Sequence, residues 1–340
     1  MPNRRYIVTE ALEHRETPII PYHVEFTAQA LENLVNYTKD ERIEEKIGTF
    51  INYIQYWGWP TELSDRPGYF RDEFGVVWNR SGPDKDIGVI DNPLIQDLEE
   101  SDYEFPAPDI ARLRCEYEEL ISNKDDRFTM AGFGFCMFER SWSLMGMENT
   151  LMSMMTCPDA LEEFYDRILD YYLVLLNIAL QYDIDGVYFG DDWGQQRGLI
   201  MGPVHWRRFI KPRMAKLYEQ VKIKKKYIVQ HSCGDCNIIL PDLIEIGLDC
   251  YQTFQPEIYE IEHVKKLYGD KLSFWGGVST QQCLPRATTD EVKAETVRVI
   301  QAMRKNGGLI IAPTHAIPYD VPPENTLAMV DVFHNQNQYI

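Results

Sequence analysis

His231-Ser-Cys233 is the sharpest chemical element in this sequence. On an extended strand, residues two apart point to the same side. An imidazole and a thiolate placed that way can share one metal ion, and both are ligands that zinc takes at about 2.0–2.3 Å. Catalytic zinc usually keeps three protein ligands and one open position. His315 is the natural third ligand, and Cys236 is its rival, because Cys233-Gly-Asp-Cys236 spells a C-x-x-C. That motif could also serve thiol redox chemistry. Redox pairs, however, favour a small domain in which the motif opens a helix, whereas here it closes an apolar run. Asp191 and Asp192 are adjacent carboxylates, suited to orienting a substrate or shuttling a proton. A plain ion pair with Arg197 is their structural alternative. Trp275 precedes two glycines, which let a flat ligand approach the backbone. Glu25, Gln255 and Tyr319 complete the candidate pocket wall.

These residues need elements that bring them together. Short β-branched and aromatic runs read as strands at 128–135, 185–192, 226–233, 248–255, 271–278 and 308–315. A further strand is expected at 17–26, made less secure by Pro21. Apolar residues at spacings of three and four predict helices over 203–222, 237–246 and 289–305. The last is opened by capping residues in Thr288-Thr-Asp-Glu. A long helix is expected over 159–181, after Pro158. Residues 60–110 are rich in Pro, Gly and Asp, and read as an irregular insertion holding one strand near Gly75-Val-Val-Trp78.

The alternation of strand and helix implies parallel β/α architecture. No Gly-x-Gly-x-x-Gly follows any strand, and polar residues collect at nearly every strand end. The expectation is therefore a single α/β domain over 1–340, a (β/α)8 TIM-like barrel, rather than an open doubly wound sheet. Glu25, Asp191, Asp192, His231, Cys233, Gln255 and His315 then converge on one face from strands far apart in sequence. That convergence, more than any single residue, is the functional signal.

The bulk properties narrow the partners. With 34 Lys and Arg against 53 Asp and Glu, the net charge is −19. Such a surface repels phosphate backbones and anionic lipid heads, so neither nucleic acid nor a membrane is an expected partner. No signal-peptide core follows the start, and no window reaches the length of a membrane span, so a cytoplasmic location is expected. The seven cysteines follow no disulfide framework. Cys115, Cys157, Cys250 and Cys283 read as incidental thiols, and His14, His23, His205, His263 and His334 as structural or solvent-facing.

Taken in order, several segments resemble the uroporphyrinogen decarboxylase superfamily. His231-Ser-Cys-Gly-Asp, followed by a helix and Leu248-Asp, is similar to the H-x-C-G segment of its methyltransferase branch. The run Gly307-Gly-Leu-Ile-Ile-Ala-Pro-Thr-His-Ala-Ile-Pro and the start Pro322-Pro-Glu-Asn325 resemble the closing strand and the helix after it. Asn3-Arg-Arg-Tyr-Ile, Ala11-Leu-Glu-His and Ile20-Pro resemble the family's opening, and Asp191-Asp-Trp-Gly with Phe209-Ile-Lys-Pro212 its middle. The resemblance covers nearly the whole chain.

The methyltransferase branch binds zinc through His-x-Cys and a distant Cys. His231 and Cys233 match the first two positions, while His315 stands where those enzymes place the second Cys. The resemblance thus implies zinc-assisted methyl transfer between a small methylated compound, or a thiol or folate acceptor, and a corrinoid on a partner protein, in a chain that forms a homodimer. The other branch decarboxylates uroporphyrinogen without a cofactor. Its Arg-Gln-Ala-Gly-Arg signature is absent here, and Tyr22-His-Val-Glu-Phe26 puts a carboxylate in that region. A non-catalytic corrinoid- or tetrapyrrole-binding protein is the third reading.

Overall fold

The computed structural model describes residues 3–81 and 88–339. Seven short runs form its central sheet: β1 (Ile51–Tyr56), β2 (Phe128–Phe133), β3 (Gly186–Gly190), β4 (Tyr227–His231), β5 (Cys250–Phe254), β6 (Ser273–Val278) and β7 (Leu309–Pro313). Neighbouring strands are parallel and follow chain order across the sheet. β2, β3, β5, β6 and β7 are buried along their whole length. Parallel strands covered on both faces read as such continuous apolar runs, which is why the sequence pattern located them.

Residues 20–26 close the curled sheet into a TIM barrel. Tyr22 bridges to Ile311 of β7. Ile311 N donates to Pro21 O at 2.9 Å, and His23 N donates to Ile311 O at 3.1 Å. On the other side Phe50 N, at the foot of β1, donates to Tyr22 O at 3.0 Å. The segment thus takes the place of an eighth stave between β7 and β1. The full strand expected over 17–26 is reduced to isolated bridges at Tyr22 and Phe26. Pro18 and Pro21 have no N–H to give to a ladder. Strand β1 is absent from the sequence reading, because Asn52 and Gln55 interrupt its apolar run.

Two helices match their expected bounds closely. Pro158–Ala179 begins on proline, which tolerates the first helical turn. Thr289–Met303 is opened by a capping box between Thr288 and Glu291. The helix expected over 203–222 is present as one continuous run, Gly202–His205 passing through a π-helical turn at Trp206–Ile210 into Lys211–Ile223. Pro212 cannot donate to a carbonyl one turn back. The Arg213 guanidinium serves that region instead, with Nη1 donating to Phe209 O at 3.2 Å and Arg208 O at 3.4 Å. The helix expected over 237–246 is a 3₁₀ turn, Asn237–Ile239, running into the short helix Leu240–Glu245.

The region read as irregular holds a four-stranded antiparallel sheet of Thr61–Leu63, Arg66–Arg71, Val77–Asn79 and Val89–Ile90. Part of that reading, 82–87, lies outside the described residues. A buried ion pair of 3.1 Å between Asp72 and Arg140 ties this sheet to the helix Met137–Met145 behind β2. Among the described residues, no helix is long and apolar enough to cross a membrane.

Candidate metal centre

Strand register puts the candidate residues at one level of the barrel mouth. His231, the last residue of β4, pairs with Gly190 of β3 and with Gln252 of β5. Asp191 and Asp192 leave β3 just above that level, and Cys233 leaves β4 beside them. His315 arrives from β7, three strands away around the barrel.

One ligand atom each from His231, Cys233 and His315 lies within 4.8 Å of the others. The separation between His231 Nε2 and Cys233 Sγ is 3.6 Å. Tetrahedral zinc with its usual nitrogen and sulfur bond lengths sets an N···S edge of about 3.6 Å. The His231 and His315 rings meet edge to face with centroids 5.7 Å apart. The donor set is one that zinc takes, and the His231–Cys233 edge has the spacing that zinc requires.

The surroundings fix the first imidazole. His231 Nδ1 donates to Gln252 Oε1, which also receives the Tyr188 hydroxyl at 3.1 Å. An amide oxygen only accepts, so Nδ1 carries a proton and Nε2 is the nitrogen left for a metal, which would displace the proton that Nε2 holds towards Asp192 in the metal-free chain. Asp192 Oδ1 accepts from Cys233 N at 2.7 Å and lies 3.4 Å from His231 Nε2. Burial works against the Asp192 carboxylate, yet His231 and the Cys233 N–H outweigh it and hold Asp192 below its usual range. Burial, reinforced by Asp192, pushes the Cys233 thiol above its ordinary value. A cation at this point is therefore what would favour the thiolate.

The turn carrying Cys233 is rigid by construction. Gly234 has φ +79°, and a Cβ there would come within 2.2 Å of Gly194 C. A Cβ on Gly194 would meet Cys233 O at 2.6 Å. Two glycine backbones thus touch directly, joined by Asp235 N donating to Gln195 O at 2.7 Å. Gln255 Oε1 accepts from Gly234 N at 3.0 Å, and Tyr259 Oη donates to Gly234 O at 3.0 Å.

The other expected residues separate. Asp191 is fully buried and accepts from Glu139 N (2.8 Å), Phe138 N (3.0 Å) and Trp193 Nε1 (2.5 Å). Its oxygens hold the first turn of the helix Met137–Met145. Burial pushes its carboxyl up to about 7 against those three donors. Cys236 is also buried, with Sγ 3.3 Å from Ser232 Oγ, and all seven cysteines are free thiols. Gln255 sits beneath the Cys233 turn. Tyr319 is 47% exposed and is not among the residues that line the cleft.

Glu25 and Trp275 do line it, together with His23, Tyr53, Tyr188, Gln252 and His315. Burial opposes the Glu25 carboxylate, but His23, Tyr53 and His315 outweigh it and hold Glu25 below its usual range. Glu139 faces the cluster as well. Burial, with Asp192 and Asp191 as neighbours, pushes it well above an ordinary carboxyl. His23, Tyr53, Tyr188 and Gln252 were not singled out by sequence. His23 read as a lone structural histidine, and Tyr53 lies on the unrecognised β1. The alternation Tyr251-Gln252-Thr253 beside the H-x-C strand was the available signal for Gln252.

The sequence matches the family model described as uroporphyrinogen decarboxylase (URO-D) over residues 81–336. It is 21% identical over 213 residues to a methylated-thiol–coenzyme M methyltransferase of Methanosarcina mazei, covering 63% of this chain and 55% of that protein. It is 29% identical over 132 residues to the methylcobamide:CoM methyltransferase MtaA of Methanosarcina barkeri, covering 38% and 36%. A uroporphyrinogen decarboxylase of Pseudoalteromonas atlantica matches at 22% over 180 residues, covering 52% and 48%. The chain thus spans about half, or less, of the length of these curated relatives. The solved structure of a methyltransferase from Methanosarcina mazei superposes with a TM-score of 0.73 at 18% identity, covering 98% of this chain and 99% of that one. This likeness is one of fold.

Proposed function

The chain belongs to the uroporphyrinogen decarboxylase family, and from that premise we propose that it is a methyltransferase component moving a methyl group between a small methylated compound and a corrinoid on a partner protein. In this reading His231, Cys233 and His315 hold zinc. The observation that carries it is the convergence of two imidazoles and a sulfur within 4.8 Å, with the first imidazole locked by Gln252. The methyltransferase names among its relatives support the same direction.

Zinc bound here supplies a Lewis acid that stabilises a thiolate or polarises a leaving group at neutral pH. Gln252 keeps the His231 ring turned so that Nε2 faces the metal position. Asp192 accepts from Cys233 N and lies 3.4 Å from His231 Nε2, so it positions both of these ligands. Asp191 acts at one remove, anchoring the helix that carries Glu139. Glu25, Trp275 and Tyr188 form the substrate wall.

Metal analysis of the purified protein tests the assignment. About one zinc per chain is expected, lost in His231→Ala and in Cys233→Ala. Zinc that is absent, or indifferent to both changes, overturns the site. Loss of the methyl–cobalt absorbance of methylcobalamin with thiol acceptors then reads the activity.

The decarboxylase relatives favour a second reading, tetrapyrrole decarboxylation. The cleft argues against it: its described lining carries Glu25 and no Arg or Lys to receive substrate carboxylates. Coproporphyrinogen formed on incubation with uroporphyrinogen would reverse the ranking.

A further inference from the structure

One buried histidine has no part in the centre described above. His23 is 7% exposed, and neither of its ring nitrogens has a well-aligned hydrogen-bond partner among the described residues. Leaving such atoms unpaired in a protein interior is costly. The ring packs against Trp275 and Tyr53, with centroids 5.0 Å and 6.0 Å away, so packing fixes where it sits. Glu25 Oε1 lies 3.2 Å from His23 Nε2. A carboxylate beside one nitrogen favours a proton there, which leaves Nδ1 as the acceptor of the ring.

The space beside this pair is small and polar. The cleft between His23, Glu25, Tyr53, Tyr188, Gln252 and His315 has a volume of about 10 Å³, room for one water and nothing larger. A buried water needs two to four polar partners, and this lining supplies a carboxylate, an imidazole, an amide and phenol hydroxyls. Two of the lining residues also belong to the centre. Gln252 accepts from His231 Nδ1, and His315 is in the ligand cluster. Glu25 reaches the other way, with its side chain 42% exposed. His23, Tyr53 and His315 all act on its carboxylate. One water, one buried imidazole and one solvent-open carboxylate therefore lie between the centre and the outside.

We infer that His23 and Glu25 are the proton exit of the centre, with His23 Nδ1 exchanging one proton, through a single water in the cleft, with a thiol substrate held beside His231, Cys233 and His315. The inference rests on the proposed methyl-transfer reading and names its acceptor class. The thiol S–H bond breaks with its electron pair left on sulfur. Its proton passes to the water, which gives one of its own to His23 Nδ1. Glu25 balances the charge of the resulting imidazolium and, being exposed, returns the proton to solvent. The sulfur pair then forms the S–CH3 bond while the methyl–cobalt bond of the partner's corrinoid breaks, and the pair of that bond stays on cobalt.

Zinc-loaded protein, in weak buffer with a pH indicator, is mixed with 2-mercaptoethanol in a stopped-flow instrument. The parent should release about one proton per chain. His23→Gln should slow that release at least about 10-fold, since a positioned base contributes about 10²–10⁴-fold and solvent offsets part of the loss. Its amplitude, zinc content and melting temperature should stay at parental values. Glu25→Gln removes the counter-charge and should slow release as well. His23→Ala opens a ring-sized space, so added imidazole should restore its rate and leave His23→Gln unmoved. A purely structural role, or imidazole taken up by zinc, would treat the two alike. In the metal-free protein, long-range proton–nitrogen NMR at mildly alkaline pH should place the His23 proton on Nε2. Parental rates in both His23→Gln and Glu25→Gln, no effect of imidazole on His23→Ala, or a proton on Nδ1 overturns the relay while leaving the metal centre standing. A parent that holds no zinc, or releases no proton with the thiol, sinks the relay together with the methyl-transfer reading beneath it.

Discussion

Replacing Gln252 by leucine should weaken zinc binding without removing a ligand. Gln252 is 7% exposed, and its Oε1 receives two donors, His231 Nδ1 and the Tyr188 hydroxyl at 3.1 Å. Leucine leaves both donors without this acceptor, at about 1–3 kcal/mol for each buried one that stays unpaired. That cost falls on the folded chain with or without metal. The metal-dependent part is the loss of ring orientation and of electron donation into the imidazole. Second partners of metal-bound histidines are typically worth about 10–100-fold in affinity, which is about 1.4–2.7 kcal/mol. Competition against a chromophoric chelator measures it, with thermal melts of the metal-free proteins run beside to record the structural cost separately. Gln252→Glu is the companion variant. Its carboxylate accepts from the same two donors, more strongly for carrying charge, and should hold zinc at least as well as the parent. If Gln252→Leu folds and binds zinc within about twofold of the parent, the idea that this amide sets the His231 tautomer is wrong.

Other outcomes follow from the same geometry. Gly234→Ala should lower both stability and zinc content, since its Cβ would meet Gly194 C at 2.2 Å on a backbone with φ +79°; a variant with parental melting temperature and full zinc would contradict the backbone contact. Arg140→Met should destabilise the chain by at most about 3–5 kcal/mol by removing the counter-charge of buried Asp72, whose oxygens keep the donors Phe74 N, Val76 N and Trp78 Nε1, read by denaturant titration. The double variant Asp72→Asn/Arg140→Met should recover part of that loss. Asp331 accepts from Lys293 Nζ at 2.5 Å and Tyr339 Oη at 2.7 Å, and the Lys293 contact leads in lowering its carboxyl to about 2. A depressed acid stabilises the fold above its unfolded value near 4 and loses that effect as pH falls through its folded value. The stability difference between parent and Lys293→Met should therefore be constant above pH ~4 and vanish towards pH ~2; a difference that persists at the lower pH would refute the pairing.

Much of the frame was legible before any coordinates. Five of the barrel strands in the second half lie where apolar runs end in polar residues, because a strand buried on both faces must be written as such a run. His231 and Cys233 were legible as a pair for a local reason, since two-residue spacing on a strand fixes a common direction. β1 was not legible, as Asn52 and Gln55 break its pattern and its partners are remote. The antiparallel sheet over 61–90 was obscured because its strands are only two to six residues long among turn-forming residues. The paired carboxylates show the limit within the site. Asp191 and Asp192 are equivalent by sequence, yet one caps a helix from the interior and the other faces the ligand cluster. Which does which depends on the helix Met137–Met145, some fifty residues away, presenting its N–H groups to Asp191.

By itself, the sequence determined the parallel β/α alternation, the acidic surface and the two-residue His–Cys element, all consequences of local periodicity and composition. Only the tertiary structure places His315 rather than Cys236 beside His231 and Cys233, sets Gln252 against His231 Nδ1, and gathers four rings and Glu25 in one cleft. Those choices turn on barrel closure, in which residues 20–26 join β7 to β1 through a few backbone hydrogen bonds. Closure brings groups nearly three hundred residues apart to one mouth, and no local pattern encodes a distance across that mouth.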